Sequence, residues 1–236
     1  MTLPTSKTVG TPLKVQYNES RKPYAHFLLY GKTKAGKTTC ANTLETDPAR
    51  NAIISTQPPE QLAHISRKTP YVVTPTYGDL QYALEHVEEL FPNVGTLIID
   101  DFSEACALMR ATVNGADNKY KPYGDGAIWA GTALRSLLHK PFNLVLTAFE
   151  RQDSDGTSAE STQWVCPDFP NATAAAINAK MDFIMRISDY KLRVKEDKAR
   201  RVMAGNRWPV AKLSLLKDEV EPNLAKLWAS YLEVIA

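Results

Sequence analysis

Gly31-Lys32-Thr33-Lys34-Ala35-Gly36-Lys37-Thr38 is the stretch on which the reading of this 236-residue chain turns. It satisfies G-x-x-x-x-G-K-[ST] at every fixed position, and Thr39 follows it. A short apolar run, Ala25–Tyr30 (AHFLLY), precedes it, and a helical pattern continues through about Glu45. Strand, glycine-rich turn and helix, in that order, are the context that gives the motif meaning. Glycines let backbone N–H groups curl around phosphate oxygens, and the helix that follows presents its positive end to the anion. Lys37 is placed to reach the β- and γ-phosphates of a nucleotide, and the Thr38 hydroxyl to bind Mg²⁺.

A partner for this loop lies some sixty residues on. Thr96-Leu97-Ile98-Ile99-Asp100-Asp101 is an apolar strand that ends in acid, the Walker B pattern. Asp100 is assigned to Mg²⁺. Asp101 has two readings: it polarises the attacking water, or it caps the helix that begins at Phe102. Hydrolysis needs a group that orients or deprotonates water. Gln57 and Glu60 after the second strand, Asp101, and Thr147 or Glu150 after NLVLTA are the candidates. No NKxD guanine-reading motif is present, which favours ATP over GTP.

Outward from the loop, the pattern alternates. Strands are expected at 52–54, 71–74, 94–99, 143–148 and 181–188. Helices are expected at 79–90, 102–113, 127–139, 171–180 and 223–235. Asn114–Gly126 and Arg151–Pro170 read as loops by composition. Residues 191–194 and 200–204 suggest a hairpin around the charged KEDKA segment. Such alternation implies a mostly parallel sheet covered on both faces. Residues 1–23 read as a polar arm, with a short strand at Leu13–Tyr17, and 24–236 as one domain. The formal charge is only +2, so charge alone does not announce a nucleic-acid partner. Cys40, Cys106 and Cys166 are scattered, lack CxxC spacing and read as free thiols of a reducing compartment. No apolar run approaches membrane-spanning length, and a soluble, cytoplasmic protein is expected.

The chain resembles the RecA-like branch of P-loop ATPases. More narrowly, it is similar to the small phage nucleotide-binding proteins of single-strand annealing recombination, the fourth Sak type. LLYGKTKAGKTT, LIIDDFSEACALM and RVMAGNRWPVAKLSLL carry the likeness, which spans roughly 24–232. It implies an α/β fold with a RecA-like core, a C-terminal β-hairpin and a closing helix. It also implies ATP and Mg²⁺ as cofactors, single-stranded DNA and a single-strand-binding protein as partners, and assembly into a ring or filament. RecA-like ATPases usually carry a water-activating glutamate after the second core strand; Ser55-Thr56-Gln57 stands there, so Glu60 is the alternative.

In RecA-like proteins, DNA lies on the loops after the Walker B helix and after the next core strand. The first of these holds Lys119, Tyr120, Lys121 and Tyr123, basic groups interleaved with aromatics that suit phosphates and stackable bases. The second holds Trp164 but is mildly acidic. Both also read as plain solvated loops. Residues 186–217 carry ten Lys/Arg against three Asp/Glu. This field either tracks DNA through Arg200 and Arg201, supplies Arg207 or Lys212 in trans to a neighbour's γ-phosphate, or protects a sheet edge. Two rival functions stay open: a small-molecule kinase and a non-catalytic ATP-gated scaffold. Lys37→Ala is expected to abolish nucleotide binding or turnover while leaving the fold intact; a fluorescent-nucleotide titration alongside circular dichroism checks this.

Overall fold

A computed structural model describes residues 24–114, 118–154, 163–188, 191–193 and 219–235. The arm at 1–23, its expected strand and residues 194–218 lie outside the described residues. The strands are β1 (His26–Gly31), β2 (Asn51–Ser55), β3 (Tyr71–Val73), β4 (Thr96–Asp100), β5 (Asn143–Ser154), β6 (Gln163–Pro167), β7 (Phe183–Ser188), β8 (Lys191–Arg193) and β9 (Glu219–Val220). The helices are α1 (Lys37–Ala41), α2 (Tyr77–Glu85), α3 (Val87–Leu90), α4 (Phe102–Ala111), α5 (Lys121–Leu138), α6 (Asn171–Asn178) and α7 (Leu224–Ile235). The sheet order is β3-β2-β4-β5-β1-β7-β8-β9, with β6 paired to the far half of β5. The six strands from β3 to β7 run parallel, while β8, β9 and β6 join antiparallel.

Period-two alternation divides the apolar residues between two layers. Leu28, Ile54, Leu97, Ile99, Leu144 and Leu146 pack with α2–α6. Phe27, Leu29, Ile53, Ile98, Val145 and Met185 pack with α1 and α7. Both faces are therefore covered, which explains why the central strands read as unbroken hydrophobic runs. On the second face Phe27 and Phe183 stack at 5.0 Å, and Trp228 of α7 meets both edge-on at 6.2 Å. The closing helix is thus held by aromatic packing, and its first N–H donates to Thr43 Oγ1 at 2.8 Å.

Several elements differ from their sequence expectation for identifiable reasons. The helix after the loop ends at Ala41 rather than Glu45: the Thr43 hydroxyl donates to Cys40 O at 2.7 Å, and Asn42 turns its carbonyl to Asn51 Nδ2 at 2.9 Å. The expected 79–90 helix starts earlier, at a reciprocal Thr76–Asp79 cap, and breaks at His86. The loop expected through Gly126 is cut short because α5 begins at Lys121, with Pro122 in its first turn. Gly126 permits that early start: a Cβ there would lie 3.2 Å from Arg110 Cγ on α4. The 151–170 loop is corrected as well. β5 continues to Ser154 and β6 pairs back on it from Glu150↔Pro167 to Ser154↔Gln163, so the polar composition of the stretch had concealed a strand pair whose Val165 and Cys166 pack onto the core. At the other end, β8 pairs with β7 and β9; a partner at 200–204 lies outside the described residues.

Gly31 illustrates how tightly the sheet is built at the loop. A Cβ there would sit 2.5 Å from the Ile187 carbonyl oxygen of β7, which is backbone and cannot swing aside. Gly31→Ala is expected to lower stability by about 1–3 kcal/mol, the usual cost of overpacking, as measured by urea unfolding.

Candidate functional site

The site lies at the carboxyl ends of β1, β4 and β5, where parallel α/β sheets place their ligands. β1 delivers the chain into the loop, and Gly36 ends the loop with φ of 89° directly before α1. Lys34 also has a positive φ, 63°. These left-handed residues turn the loop back on itself, a conformation that glycine adopts at no steric cost. Lys37 is 8% exposed. Its Nζ donates to Gly31 O and Lys32 O, both at 3.0 Å, and stands 4.8 Å above the Phe149 ring. Burial pushes its pKa below the ordinary lysine range, opposed by the charges of Asp101, Asp100 and Glu150. An ammonium held only by carbonyls and a ring is poised to exchange them for phosphate oxygens.

Asp100 joins three elements. Its Oδ1 accepts from Thr38 Oγ1 of α1 at 3.0 Å and from Thr147 Oγ1 of β5 at 2.5 Å. The hydroxyl and carboxylate expected to share Mg²⁺ thus already touch. Thr147, noted in the sequence only among water-positioning candidates, belongs to the same cluster and is fully buried. What conceals its role in the sequence is that β5 lies between β1 and β4, a fact of topology rather than of local pattern.

Asp101 realises the capping reading: Ser103 N–H donates to its Oδ1 at 2.8 Å, closing the start of α4. Capping does not use the whole group. Oδ2 is buried and makes no hydrogen bond among the described residues. Burial raises the Asp101 pKa to about 6, opposed by its bonds to Ser103. A carboxylate with one oxygen fixed and the other unengaged, beside the phosphate loop, suits a water-orienting group.

A cavity of about 570 Å³ collects these residues, from Thr33 to Thr39 on one wall to Asp100, Asp101 and Phe149 on another. Gln57 and Glu60 form part of its rim with Gln61 and His64. Gln57 is half-buried, with its N–H on Ser55 Oγ at 3.1 Å, and Glu60 is exposed in a single 3₁₀ turn, Pro59–Leu62. Glu150, by contrast, is engaged: Arg186 grips it with Nε and Nη2 at 2.8 and 3.1 Å.

The site fits a magnesium nucleotide. Thr38 and Asp100 supply hard oxygens, Lys37 a buried cation, and the loop a backbone concavity. When bound, Mg²⁺ supplies charge neutralisation at the phosphates. No cluster of three or more His, Cys, Asp or Glu that could hold a metal occurs among the described residues.

The remaining candidates separate in space or fall outside the description. Lys119, Tyr120, Lys121 and Tyr123 stand at the start of α5, away from the cavity lining. Arg200, Arg201, Arg207 and Lys212 lie outside the described residues. Cys40, Cys106 and Cys166 are free and buried. No helix among the described residues is long and apolar enough to cross a membrane.

Fold and site define a P-loop nucleotide-binding protein whose phosphate strand and Walker B strand are separated by one intervening strand. A family model described as an AAA domain matches residues 24–208. The chain belongs to that family and carries its P-loop ATPase domain. No curated protein matches the chain.

A folded-state pKa above the ordinary carboxylate value means that ionised Asp101 costs stability. The cost is absent below pH ~4 and grows as pH rises toward the folded pKa of about 6. Asp101→Asn keeps a capping oxygen and removes the charge. In nucleotide-free protein at pH 7.5 it is expected to stabilise by on the order of 1–2 kcal/mol, less than the full shift because Lys37 loses a nearby charge. Thermal unfolding at pH 7.5 and pH 4.5 checks this, and the gain should shrink markedly at the lower pH.

Proposed function

We propose that this AAA domain binds ATP with Mg²⁺, hydrolyses it, and uses the cycle to handle single-stranded DNA, promoting strand annealing in recombination. Hydrolysis is supported by Lys37, by the Thr38–Asp100–Thr147 cluster and by the unengaged oxygen of Asp101. In this reading Asp101, rather than Gln57 or Glu60, orients the attacking water, because it is buried among the phosphate-loop residues while Glu60 is exposed.

The observation that carries the DNA reading is the surface at the start of α5. Tyr120 is 68% and Tyr123 49% exposed, unusual for large aromatics. Lys119 Nζ stands 5.1 Å over the Tyr120 ring, and the Arg110 guanidinium 5.9 Å over Tyr123. Lys121 pairs with Asp125 at 2.6 Å, an exposed i,i+4 contact worth little in water and readily given up to a phosphate. Stackable rings beside mobile cations suit a flexible single strand. The same reading extends to a homo-oligomer, ring or filament, with Arg207 or Lys212 reaching a neighbour's nucleotide, Arg200 and Arg201 on the DNA backbone, and a single-strand-binding protein as co-worker.

Single-stranded DNA is expected to stimulate ATP hydrolysis, and the stimulation to fade with salt. Tyr120→Ala with Tyr123→Ala should weaken DNA binding by about 1–3 kcal/mol per stacked base while leaving basal turnover unchanged. Turnover and fluorescence anisotropy with an oligonucleotide at two salt concentrations decide it; indifference of turnover to DNA at both would overturn the DNA reading and leave the ATPase.

A further inference from the structure

A second cavity, of about 540 Å³, adjoins the first, and Thr33 and Phe149 line both. The rest of its wall comes from Lys32 of the loop, from the outer part of β5 and from Asp168 just after β6. Two bonds fix that wall. Asp168 N–H donates to Phe149 O at 2.8 Å, and Arg151 Nη2 donates to Asn171 Oδ1, at the first residue of α6, at 2.9 Å. The cavity stands at a particular end of the phosphate loop. Lys37 Nζ, the group suited to the β- and γ-phosphates, rests on Gly31 O and Lys32 O and over the Phe149 ring. The Lys32 end of the loop is therefore the end beside the terminal phosphate, while the start of α1 faces the phosphates behind it.

The charges of the second cavity favour an oxyanion. Glu150, which also lines it, is already held by Arg186 Nε and Nη2 at 2.8 and 3.1 Å, so its charge is offset. Two cations, Lys32 and Arg151, then stand against one carboxylate, Asp168. Lys32 Nζ makes no hydrogen bond or ion pair among the described residues, and neither does the Asp168 carboxylate. With the Thr33 hydroxyl, the two cations are the donor types that phosphate oxygens take. We propose that this cavity is a release station for inorganic phosphate: the phosphate cleaved from ATP passes Thr33 and Phe149 and is held by Lys32, Thr33 and Arg151 before it reaches solvent. The inference rests on the hydrolysis reading above. In-line displacement separates the terminal phosphoryl group from the leaving ADP oxygen, which directs the cleaved group away from α1 and toward this cavity. Asp168 sets the strength of the station. An exposed, unpaired carboxylate repels the anion and keeps its affinity low enough for release.

The full chain, saturated with Mg²⁺ and a non-hydrolysable ATP analogue, is titrated with inorganic phosphate and followed by ³¹P line broadening. The analogue fills the terminal-phosphate position, so added phosphate has only the second cavity to enter. Saturable binding at a single site is expected. Arg151→Gln should weaken it about tenfold, the loss of one charge-assisted hydrogen bond. Asp168→Asn should tighten it about threefold, the size of an exposed charge contact. Asparagine keeps the main-chain N–H on Phe149, and damage to the fold would weaken binding in both variants rather than move them apart. Single-turnover hydrolysis then compares cleavage with the appearance of free phosphate at a fluorescent phosphate sensor. Free phosphate should lag cleavage in the wild type, lag longer in Asp168→Asn and lag less in Arg151→Gln. No saturable binding to the analogue-filled protein, indifference to both variants, or displacement of the bound phosphate by a single-stranded oligonucleotide overturns the inference and leaves the ATPase standing. Phosphate binding without any cleavage of ATP overturns both.

Discussion

Two hydroxyls on one carboxylate oxygen hold this site in place. Asp100 Oδ1 receives Thr38 from α1 and Thr147 from β5, and each donor comes from a different part of the chain. A buried carboxylate needs such partners, because leaving it unsatisfied costs more than the bonds themselves contribute. The arrangement requires one topology. β5 must lie between β1 and β4, and the register must bring Leu146 opposite Ile99 and Thr147 opposite Leu29. Thr147 then stands one step past Leu146 on β5, as Asp100 stands one step past Ile99 on β4. A slip of one residue would turn Thr147 to the other face and leave Asp100 short of a donor.

The same constraint explains what the protein gives up. Lys37 and Asp101 are both buried, and burial disfavours the charged form of each. Neither charge is compensated by a close, bidentate partner of the kind that Glu150 has in Arg186. The two ion environments, a few residues apart along β5 and the loop, show the contrast between support and readiness. Arg186 and Glu150 satisfy each other across β1 and brace the base of the loop. Lys37 rests on carbonyls and a ring, and Asp101 keeps an oxygen free, so both remain available to a nucleotide.

Much of this was legible in the sequence. The loop, its flanking strand and helix, and the acid-ended 96–101 run place Lys37, Thr38 and Asp100 by local pattern alone. The two-faced sheet follows from uninterrupted apolar strands. What escaped local reading was set by tertiary contact. Thr147 is an ordinary strand residue until β5 is inserted between β1 and β4. The β5–β6 pairing is hidden because the outer part of β5, Glu150–Ser154, is polar, although β6 returns Val165 and Cys166 to the core. The start of α5 is hidden by Pro122, Gly124 and Gly126, whose composition signals a loop although Gly126 serves close packing against Arg110. Asp101 shows the limit from the other side: capping and water orientation were posed as alternatives, and the geometry shows the capping oxygen engaged and the other buried without a hydrogen bond among the described residues.

Helix α4 connects the two ends of the functional reading. At its N-terminus the capping Asp101 borders the nucleotide cavity. At its C-terminus Arg110 stacks on Tyr123 and packs against Gly126. Ten residues make a rod of ~15 Å, and a hydrogen-bonded helix resists axial strain far better than a loop would. Phe102 locks its position by stacking on Trp129 of α5 at 6.0 Å and meeting Phe169 edge-on at 6.2 Å. Helix α4 is therefore fastened to α5 at both of its ends, by Phe102 on Trp129 and by Arg110 on Tyr123, which fixes the Asp101 cap and the Tyr123 surface in one rigid unit.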